Sequence, residues 1–320
     1  MAGYPLNFLE RHKPSSQAVV LGIFLALWFF FLLVNPVAFS SAYTYSSLMS
    51  FLPFTLIPAL ALTYVVICGE IDISFPSVMP LGAWVFSSVG MSTGSLPLGL
   101  LCGLAAGLMA GLLNGVMVTK GRIPSLILTI GTMFLWKGVV MIATAGRSTS
   151  LMLIKETAFS QVFIGEIGGV PAQMLWGTAI AFVLWLILSR HRFGAHVYFT
   201  GDNIRGARLA GINVDMVKIT SFMLVGVTAA FTGILIALQL SNFWPGIGEG
   251  YLLLAIASVV VGGTSIMGGY GGIFGTFIGS HIIGWMSTGI LSSGFTGFWT
   301  QFAIGLTIVI ALAIQAFLRR

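Results

Sequence analysis

The amino-acid sequence predicts an all-α integral membrane protein with about ten transmembrane helices, some of them broken or re-entrant. The chain has 320 residues, of which 57% are hydrophobic and only 7% are charged, and its mean hydropathy is +1.03. A soluble domain carries about 25% charged residues, so no soluble core could hide this much apolar surface. Because apolar stretches of the roughly 20 residues needed to cross a bilayer recur along the chain, we expect a single transmembrane domain over residues 1–320.

The predicted spans follow one another with short polar breaks between them. They lie near residues 17–38, 47–68, 73–91, 96–118, 124–145, 173–189, 217–240, 251–266, 273–291 and 298–318. The first run follows Arg11 and Lys13, as the apolar core of a signal peptide would, but it is long and lacks a small-residue cleavage site. We therefore expect a retained span that follows a cytoplasmic N-terminal segment at 1–16.

Basic residues are concentrated on one side of the predicted bundle. With the N-terminus in the cytoplasm and alternating spans, the outer segments hold only Arg147 and Lys155, and Lys137 falls within a span. The cytoplasmic segments hold Arg11, Lys13, Lys120, Arg122, Arg190, Arg192, Arg205, Arg208, Lys218, Arg319 and Arg320. This asymmetry follows the positive-inside rule and predicts a multi-pass protein with both termini in the cytoplasm. The net charge of +6 then reflects membrane topology, so we expect contact with membrane lipid and no nucleic-acid partner.

The sequence contains no arrangement of residues typical of an enzyme or a metal site. It lacks a phosphate loop of the form G-x-x-x-x-G-K-S/T, so we do not expect the chain to hydrolyse ATP. Cys68 and Cys102 lie in or beside apolar runs, and the cysteines and histidines show no metal-ligand spacing. We therefore expect no catalytic residues, no metal and no cofactor in this chain.

A polar break at residues 69–76 interrupts two apolar runs and contains Glu70, Asp72, Ser74 and Phe75. Non-helical backbone survives at membrane depth only where protein or water satisfies its polar groups, and broken helices often build the solute sites of transporters. Asp72 or Ser74 could cap a following half-helix, and we predict that these four residues line a translocation pathway. The alternative is an ordinary cytoplasmic turn with solvated acids. The sequence leaves open whether the break lies at mid-membrane or at the inner face.

A second break, rich in glycine, separates two apolar runs at residues 262–272. Its layout resembles that of the first break, which hints at an internal duplication. We predict that Thr264 and Ser265 line the pathway as part of a gate. The alternative is a flexible, tightly packed turn.

Lys137 and His281 are ionisable residues inside predicted spans, where charge is costly and usually faces the bundle interior. We predict a transport role for Lys137, which would meet a solute or pair with an acid; alternatively it snorkels outward. Glycines also recur every four residues within 103–115 and within 271–279. This spacing permits close approach of another helix, either inside one subunit or between subunits.

The longest cytoplasmic loop, residues 190–216, contains the most specific signal. Its residues 203–210 predict a short helix, capped by Asn203 and ended by Gly211. Small residues there would let a partner's groove approach, and two arginines share a helix face. The residues that we assign to partner docking are Asn203, Arg205, Gly206, Ala207, Arg208, Leu209 and Gly211. The alternative is an amphipathic loop lying on anionic lipid.

This loop resembles the coupling helix of ABC import permeases, whose pattern is Glu-Ala-Ala, three residues, then Gly. Here Arg205-Gly206-Ala207 is followed by Gly211, and the run Arg-Leu-Ala-Gly-Ile is typical of the ribose/xylose/autoinducer-2 branch of sugar permeases. Three further segments are similar to that branch in order and spacing, so the resemblance covers roughly residues 45–316. These segments are 70–74, 121–132 and 261–276.

The chain departs from the family pattern at two places. Arg205 and Gly206 replace the usual Glu and Ala, which would alter the contact with the ATPase. Phe75-Pro76 replaces the Val-Gly that commonly follows the family's Asp-Leu-Ser, which would reshape the solute path and weakens an assignment to ribose itself.

The resemblance implies a permease subunit of an ATP-binding-cassette importer in the bacterial plasma (inner) membrane. Such a subunit forms the translocation pathway for a monosaccharide or a similar small polar solute. Its implied partners are a separate ABC ATPase that uses ATP and Mg and docks at 203–211, a second permease that is identical or a paralogue, and a periplasmic or lipid-anchored solute-binding protein. A nucleoside, polyol, signalling furanose or flavin is an alternative solute. An ion-coupled secondary carrier is an alternative mechanism, with Lys137, His281 and Asp72 as its candidate coupling residues.

Overall fold

The structure is a computed structural model that describes residues 16–318. Residues 1–15, which make up nearly all of the predicted cytoplasmic N-terminal segment and include Arg11 and Lys13, lie outside the described residues. Arg319 and Arg320 lie outside them as well. The described part of the chain is built almost entirely of helices, as the sequence predicts.

The helices and short strands are distributed in three stretches. The first contains α1 (Ser16–Val34), α2 (Pro36–Phe39), α3 (Ala42–Phe51), α4 (Pro53–Ile67), α5 (Phe75–Thr93), α6 (Leu96–Thr119) and α7 (Ser125–Thr144). The second contains β1 (Thr149–Ser150), α8 (Met152–Lys155), α9 (Ala158–Ile164), β2 (Glu166–Ile167) and β3 (Val170–Pro171). The third contains α10 (Ala172–Arg190), α11 (Arg192–Asp202), α12 (Ile204–Leu209), α13 (Val214–Gln239), β4 (Asn242–Phe243), α14 (Tyr251–Val261), α15 (Ile273–Ser292) and α16 (Gly297–Leu318).

Every apolar segment predicted from the sequence contains a helix. By length and composition, α6, α7, α10 and α13 could each cross a membrane, and α3 with α4 forms a fifth such unit that bends by 45°. The bend falls at Pro53, which lacks the amide hydrogen that a continuous helix would use. The number of crossings and the cytoplasmic placement of the termini stay predictions.

Helix α13 lies at the centre of the bundle and packs against α4, α5 and α6. Glycines allow these backbones to meet: a Cβ on Gly107 would overlap the carbonyl oxygen of Gly226, and a Cβ on Gly226 would overlap that of Gly107. In the same way, a Cβ on Gly279 of α15 would overlap the carbonyl oxygen of Ser258 on α14. Both glycine repeats therefore pack helices within this chain, where van der Waals contact is the main source of helix association in lipid.

Two small antiparallel strand pairs join the segments at one end of the bundle. Strand β1 pairs with β4, with Thr149 opposite Phe243, and β2 pairs with β3, with Glu166 opposite Pro171. The first pair ties the stretch between α7 and α10 to the segment that follows α13. Helix α7, next to this stretch, is the least enclosed of the long apolar helices, with 17% of its most apolar window buried compared with 83% for α13.

Candidate functional site

The first chain break, predicted at residues 69–76, occupies residues 68–74 between α4 and α5. It is held by a buried chain of hydrogen bonds. The carboxylate of Asp72 is 2% exposed and accepts hydrogen bonds from the Ser74 amide at 2.8 Å and the Ser74 hydroxyl at 2.7 Å. Asn114 on α6 donates to the Ser74 hydroxyl oxygen at 2.8 Å. Ser74 stands at the N-cap of α5 but makes no side-chain cap hydrogen bond, because its hydroxyl is turned toward Asp72. Asp72 is therefore a buried acid, which excludes the solvated-turn interpretation for this residue.

The other candidate residues of the first break are also enclosed or paired. Phe75 is fully buried at the start of α5. Glu70 forms an ion pair with Lys218 of α13, and both side chains are largely buried. The Ile71 amide donates to the hydroxyl of Ser125 at 3.2 Å, which connects the break to the start of α7. Asp72, Ser74 and Phe75 thus shape the break from inside the bundle.

The second chain break, residues 262–272, forms a compact turn. Thr264 and Ser265 are both buried. The Ser265 amide donates to the Tyr270 carbonyl at 2.9 Å, and the Gly268 amide donates to the Ser265 carbonyl at 3.1 Å. These bonds satisfy the backbone of a segment that has left the helical conformation, as burial in protein requires.

The two breaks meet each other and the end of α11 in a three-way contact. We call the contact of Ile67–Gly69, Gly201–Asp202 and Gly268–Gly271 the backbone junction. In it the Ile67 carbonyl accepts a hydrogen bond from the Gly269 amide at 2.9 Å. A Cβ on Gly201 would overlap the Ile67 carbonyl oxygen and lie 2.6 Å from the Gly269 nitrogen, so only glycine fits between the two breaks.

A tyrosine provides a second link between α11 and the second break. The Tyr198 hydroxyl donates to the Gly271 carbonyl at 2.8 Å. Burial raises the pKa of Tyr198 above its ordinary value. The loop at 190–216 is therefore fastened to the second break by a hydrogen bond and contacts both breaks through backbone atoms at Gly201.

Helix α12 within this loop matches the predicted short helix. The Asn203 side chain accepts a hydrogen bond from the Gly206 amide at 2.9 Å and caps the helix. Gly211 follows the helix with φ +81°, a left-handed conformation that glycine adopts without a steric penalty. The predicted start, end and cap of this helix are confirmed.

The exposed face of α12 is not formed by its small residues. Ala207 is only 3% exposed and faces the rest of the chain, so it cannot offer a free surface to a partner. The outward surface carries Leu209, which is 91% exposed, together with Ile204 and Arg205. The expectation that small Ala207 lets a partner approach is therefore wrong, because Ala207 fills the space beneath the helix. Gly206 is half-buried.

A line of charges connects α12 to α13 and to the end of α6. Asp215, near the start of α13, contacts Arg208 of α12 at 3.5 Å and Lys120 at 3.0 Å. Arg208 and Lys120 are mostly exposed, so this network positions α12 and adds little stability. One of the two arginines assigned to docking thus has an acid partner inside the chain.

Lys137 lies at a cavity that is bordered by the start of α5, directly after the first break. Its ammonium group contacts the Glu249 carboxylate at 2.7 Å, with the side chains 48% and 66% exposed. The pair borders a cavity of about 390 Å³, which we call the ion-pair cavity; Ser77 of α5 also lines it. This volume lies in the range of small-molecule sites, about 300–1,000 Å³.

Several residues of the site escaped the sequence analysis. Asn114 and Tyr198 carry no charge and sit in ordinary helical contexts, so no local pattern distinguishes them. For Lys218 the sequence predicted only a position on the cytoplasmic side of the membrane. Glu249 offered a usable signal, because it is one of just eight acidic residues and lies between glycines.

Comparison with known proteins identifies relatives along most of the chain. The sequence model of the family described as "Branched-chain amino acid transport system / permease component" matches residues 43–312. The ribose import permease protein RbsC of Escherichia coli is 35% identical over 262 residues, which cover 81% of this chain and 81% of that protein. RbsC of Bacillus subtilis is 34% identical, with 80% of each chain covered. The autoinducer 2 import system permease protein LsrC of Salmonella typhi is 30% identical, with 98% of this chain and 88% of that protein covered.

Proposed function

Because the chain belongs to this permease family, we propose that it is the membrane subunit of an ATP-binding-cassette importer for a monosaccharide or a similar small polar solute. Its sequence resemblance to sugar import permeases is confirmed by the ribose and autoinducer 2 relatives. In this proposal the chain makes no covalent change in the solute. It forms the translocation pathway and changes access between the two sides of the membrane.

The backbone junction is the observation that carries the proposal. An ATPase that docks on α12 would move a loop whose residue Gly201 fits between the two chain breaks with no space left over. A close-packed contact transmits displacement because it cannot be compressed. Movement at the docking helix would therefore reach both breaks at once and bias the chain between two states of access.

The permease family implies several partners, and the two ends of the site offer surfaces that could receive them. The exposed face of α12, with Leu209 at its tip, would receive a separate ATPase subunit that uses ATP and Mg. The open face of α7 would pack against a second permease, identical or paralogous, because most of this apolar helix is uncovered in one chain. A solute-binding protein outside the bacterial inner membrane would deliver the solute to the side that holds α8 and α9.

The solute pathway would pass the ion-pair cavity. Lys137, Glu249 and Ser77 offer hydrogen-bond donors and acceptors beside an otherwise apolar lining, an arrangement that suits a small polar solute. In this scheme Asp72, Ser74, Thr264 and Ser265 hold the shape of the breaks that border the pathway, while Glu70 faces the side where the ATPase docks.

Copurification from native membrane tests the proposal most simply. The chain would be isolated under conditions that preserve complexes, and its partners would be identified by mass spectrometry. We expect an ATPase subunit and an ATP hydrolysis rate that rises when one binding protein is loaded with its sugar. Recovery of the chain alone, with uptake abolished by a protonophore and insensitive to ATP depletion, would instead indicate an ion-coupled carrier.

A further inference from the structure

The end of the helical bundle that carries α12 contains another cavity, whose lining has more basic than acidic side chains. This basic cleft, of about 570 Å³, is bordered by the end of α6, the start of α7, α12 and the start of α13. Its charged lining residues are Glu70, Lys120, Arg122, Arg208, Asp215 and Lys218. The four basic and two acidic side chains leave the lining with a net charge of +2.

Both acidic side chains of the basic cleft already form ion pairs with basic residues of its lining. Glu70 is paired with Lys218, and Asp215 is shared by Lys120 and Arg208. Arg122 lines the same cleft, is exposed, and has no acidic group within 4.0 Å among residues 16–318. Half of the net charge of +2 therefore lies on Arg122, and the other half lies on the group of Lys120, Arg208 and Asp215. The guanidinium group of Arg122 can bind phosphate oxygens in a bidentate manner.

The backbone at Arg122 supports a role for its side chain. Arg122 has φ +55°, a left-handed conformation that is uncommon for a residue other than glycine or asparagine. The preceding residue, Gly121, has a negative φ and does not supply the turn. A strained position that holds a long cation, and not a glycine, is typical of a functional site.

Apolar surface continues from the cleft along the neighbouring helices. Val118, Ile123 and Pro124 form part of its lining. Beyond them, Met117 at the end of α6 and Ile127 at the start of α7 are exposed. A ligand with a phosphate at one end and hydrocarbon at the other would match both surfaces, and basic pockets between transmembrane helices bind anionic lipid head groups in this way.

We propose that the basic cleft binds the phosphate head group of an anionic phospholipid, with Arg122 as the principal contact and the acyl chains against the apolar end of α6. Because Arg208 of α12 borders the same cleft, a bound lipid would also hold the docking helix in place. The inference goes beyond the proposed function, and the lipid site would exist whether or not an ATPase docks at α12.

Lipid retention by the intact chain tests this proposal. The chain would be incorporated into nanodiscs of phosphatidylcholine with phosphatidylglycerol, extracted, and examined by native mass spectrometry for the lipids that stay bound. We expect phosphatidylglycerol to be retained in preference to phosphatidylcholine. Removing one basic residue near a membrane surface should weaken retention by about fivefold, so we expect that loss in Arg122→Gln.

Two further variants separate a specific site from general charge. Arg147→Gln removes the same charge just beyond the opposite end of α7 and should leave retention unchanged. Arg122→Lys keeps the charge but not the bidentate geometry and should restore part of the retention, which guards against a folding defect in Arg122→Gln. Equal losses in the variants at 122 and 147, or no loss in either, would overturn the proposal.

Two other ligands are outcomes of the same experiment. If inorganic phosphate displaces phosphatidylglycerol at low concentration, the site recognises free phosphate and the acyl contact is absent. If Arg122→Gln weakens binding of the ATPase but leaves lipid retention unchanged, the cleft receives an acidic segment of that protein and the lipid assignment is wrong. Failure to recover any ATPase would contradict the proposed function and leave the lipid measurement valid.

Discussion

The backbone junction involves residues at the start of the first chain break, whereas the ion-pair cavity is lined by residues that follow the break, and the two are built in opposite ways. At the junction, Gly201 and Gly269 meet Ile67 through backbone atoms, with no room for another carbon. At the cavity, Lys137 and Glu249 meet through long, half-exposed side chains around open volume. Close packing transmits force and resists rearrangement, whereas an exposed ion pair opens at little cost.

This contrast indicates where the molecule is stiff and where it can move. The loop at 190–216 and the two breaks would shift as one body, because overlap at Gly201 blocks motion toward the breaks and motion away from them would break the hydrogen bond from Tyr198 to Gly271. The ion pair at the cavity can open through side-chain motion alone, since Lys137 and Glu249 are half-exposed, although the backbone beside it at Gly248 is packed against the Pro76 carbonyl. The following predictions test this difference, beginning with the largest expected effect.

Gly201→Ala should be the most damaging substitution. The added methyl group would overlap the Ile67 carbonyl oxygen, and no flexible side chain can move aside to relieve it. Overpacking of this kind costs about 1–3 kcal/mol or more. We expect a lower melting temperature in detergent and loss of solute uptake. Gly305→Ala is the control, because nothing lies within 4 Å of its added carbon; equal behaviour of the two variants would show that the junction is not tight.

Asp72→Ala should also destabilise the first chain break. It removes the acceptor for the Ser74 amide and hydroxyl, and a buried group left without a partner costs about 1–3 kcal/mol. Thermal unfolding and uptake should both be impaired, while Asp72→Asn should retain part of each. Glu166→Ala, which removes an exposed acid, serves as the control. Stability and uptake equal to those of the unmodified chain in Asp72→Ala would contradict this role.

Leu209→Ala should separate docking from folding. The side chain is 91% exposed, so its loss should leave thermal stability unchanged. If it anchors an ATPase, binding should weaken by more than about 1 kcal/mol, as for a central interface residue. Leu153→Ala provides a matched control at the opposite end, where the leucine is 93% exposed. Ala207→Trp is a poorer test, because Ala207 is buried and the change would disturb α12 itself.

Lys137→Met should have the smallest effect on stability. Exposed ion pairs contribute about 0.2–1 kcal/mol, so unfolding of Lys137→Met, Glu249→Gln and the double variant should differ little. Uptake should respond more strongly, with a raised KM, if the pair faces the solute. A double-mutant cycle on KM would measure the coupling of the two side chains. Unchanged uptake in all three variants would remove Lys137 from the pathway.

Sequence reasoning located the helices because their signal is local. A run of apolar residues of sufficient length has one stable conformation in lipid, so the predicted segments each contain a helix. The cap at Asn203 and the end at Gly211 were equally readable, since each depends on a side chain and its immediate neighbours. The ends of some helices differ from the predicted ones. Helix α14 ends at Val261, earlier than the predicted 266, because glycines at 262 and 263 begin the second break.

The backbone junction could not be predicted, because it joins residues far apart in the chain. Nothing near Gly201 indicates that Ile67 and Gly269 will lie against it. The orientation of α12 was missed for a related reason. A helix as short as Ile204–Leu209 has too few turns for an apolar face to be recognised, and tertiary packing decides that Ala207 points inward.

The most direct test of the stiff junction is a pair of distances measured by pulsed electron paramagnetic resonance. Cys68 and Cys102 would first be replaced by serine, and spin labels would be placed at the exposed positions Arg205, Met267 and Leu153. We expect the distance between labels at 205 and 267 to stay the same with and without ATP in the assembled transporter, while the distance from 205 to 153 changes. A change between 205 and 267 as large as that between 205 and 153 would show that the docking loop moves independently of the second break and would contradict the account.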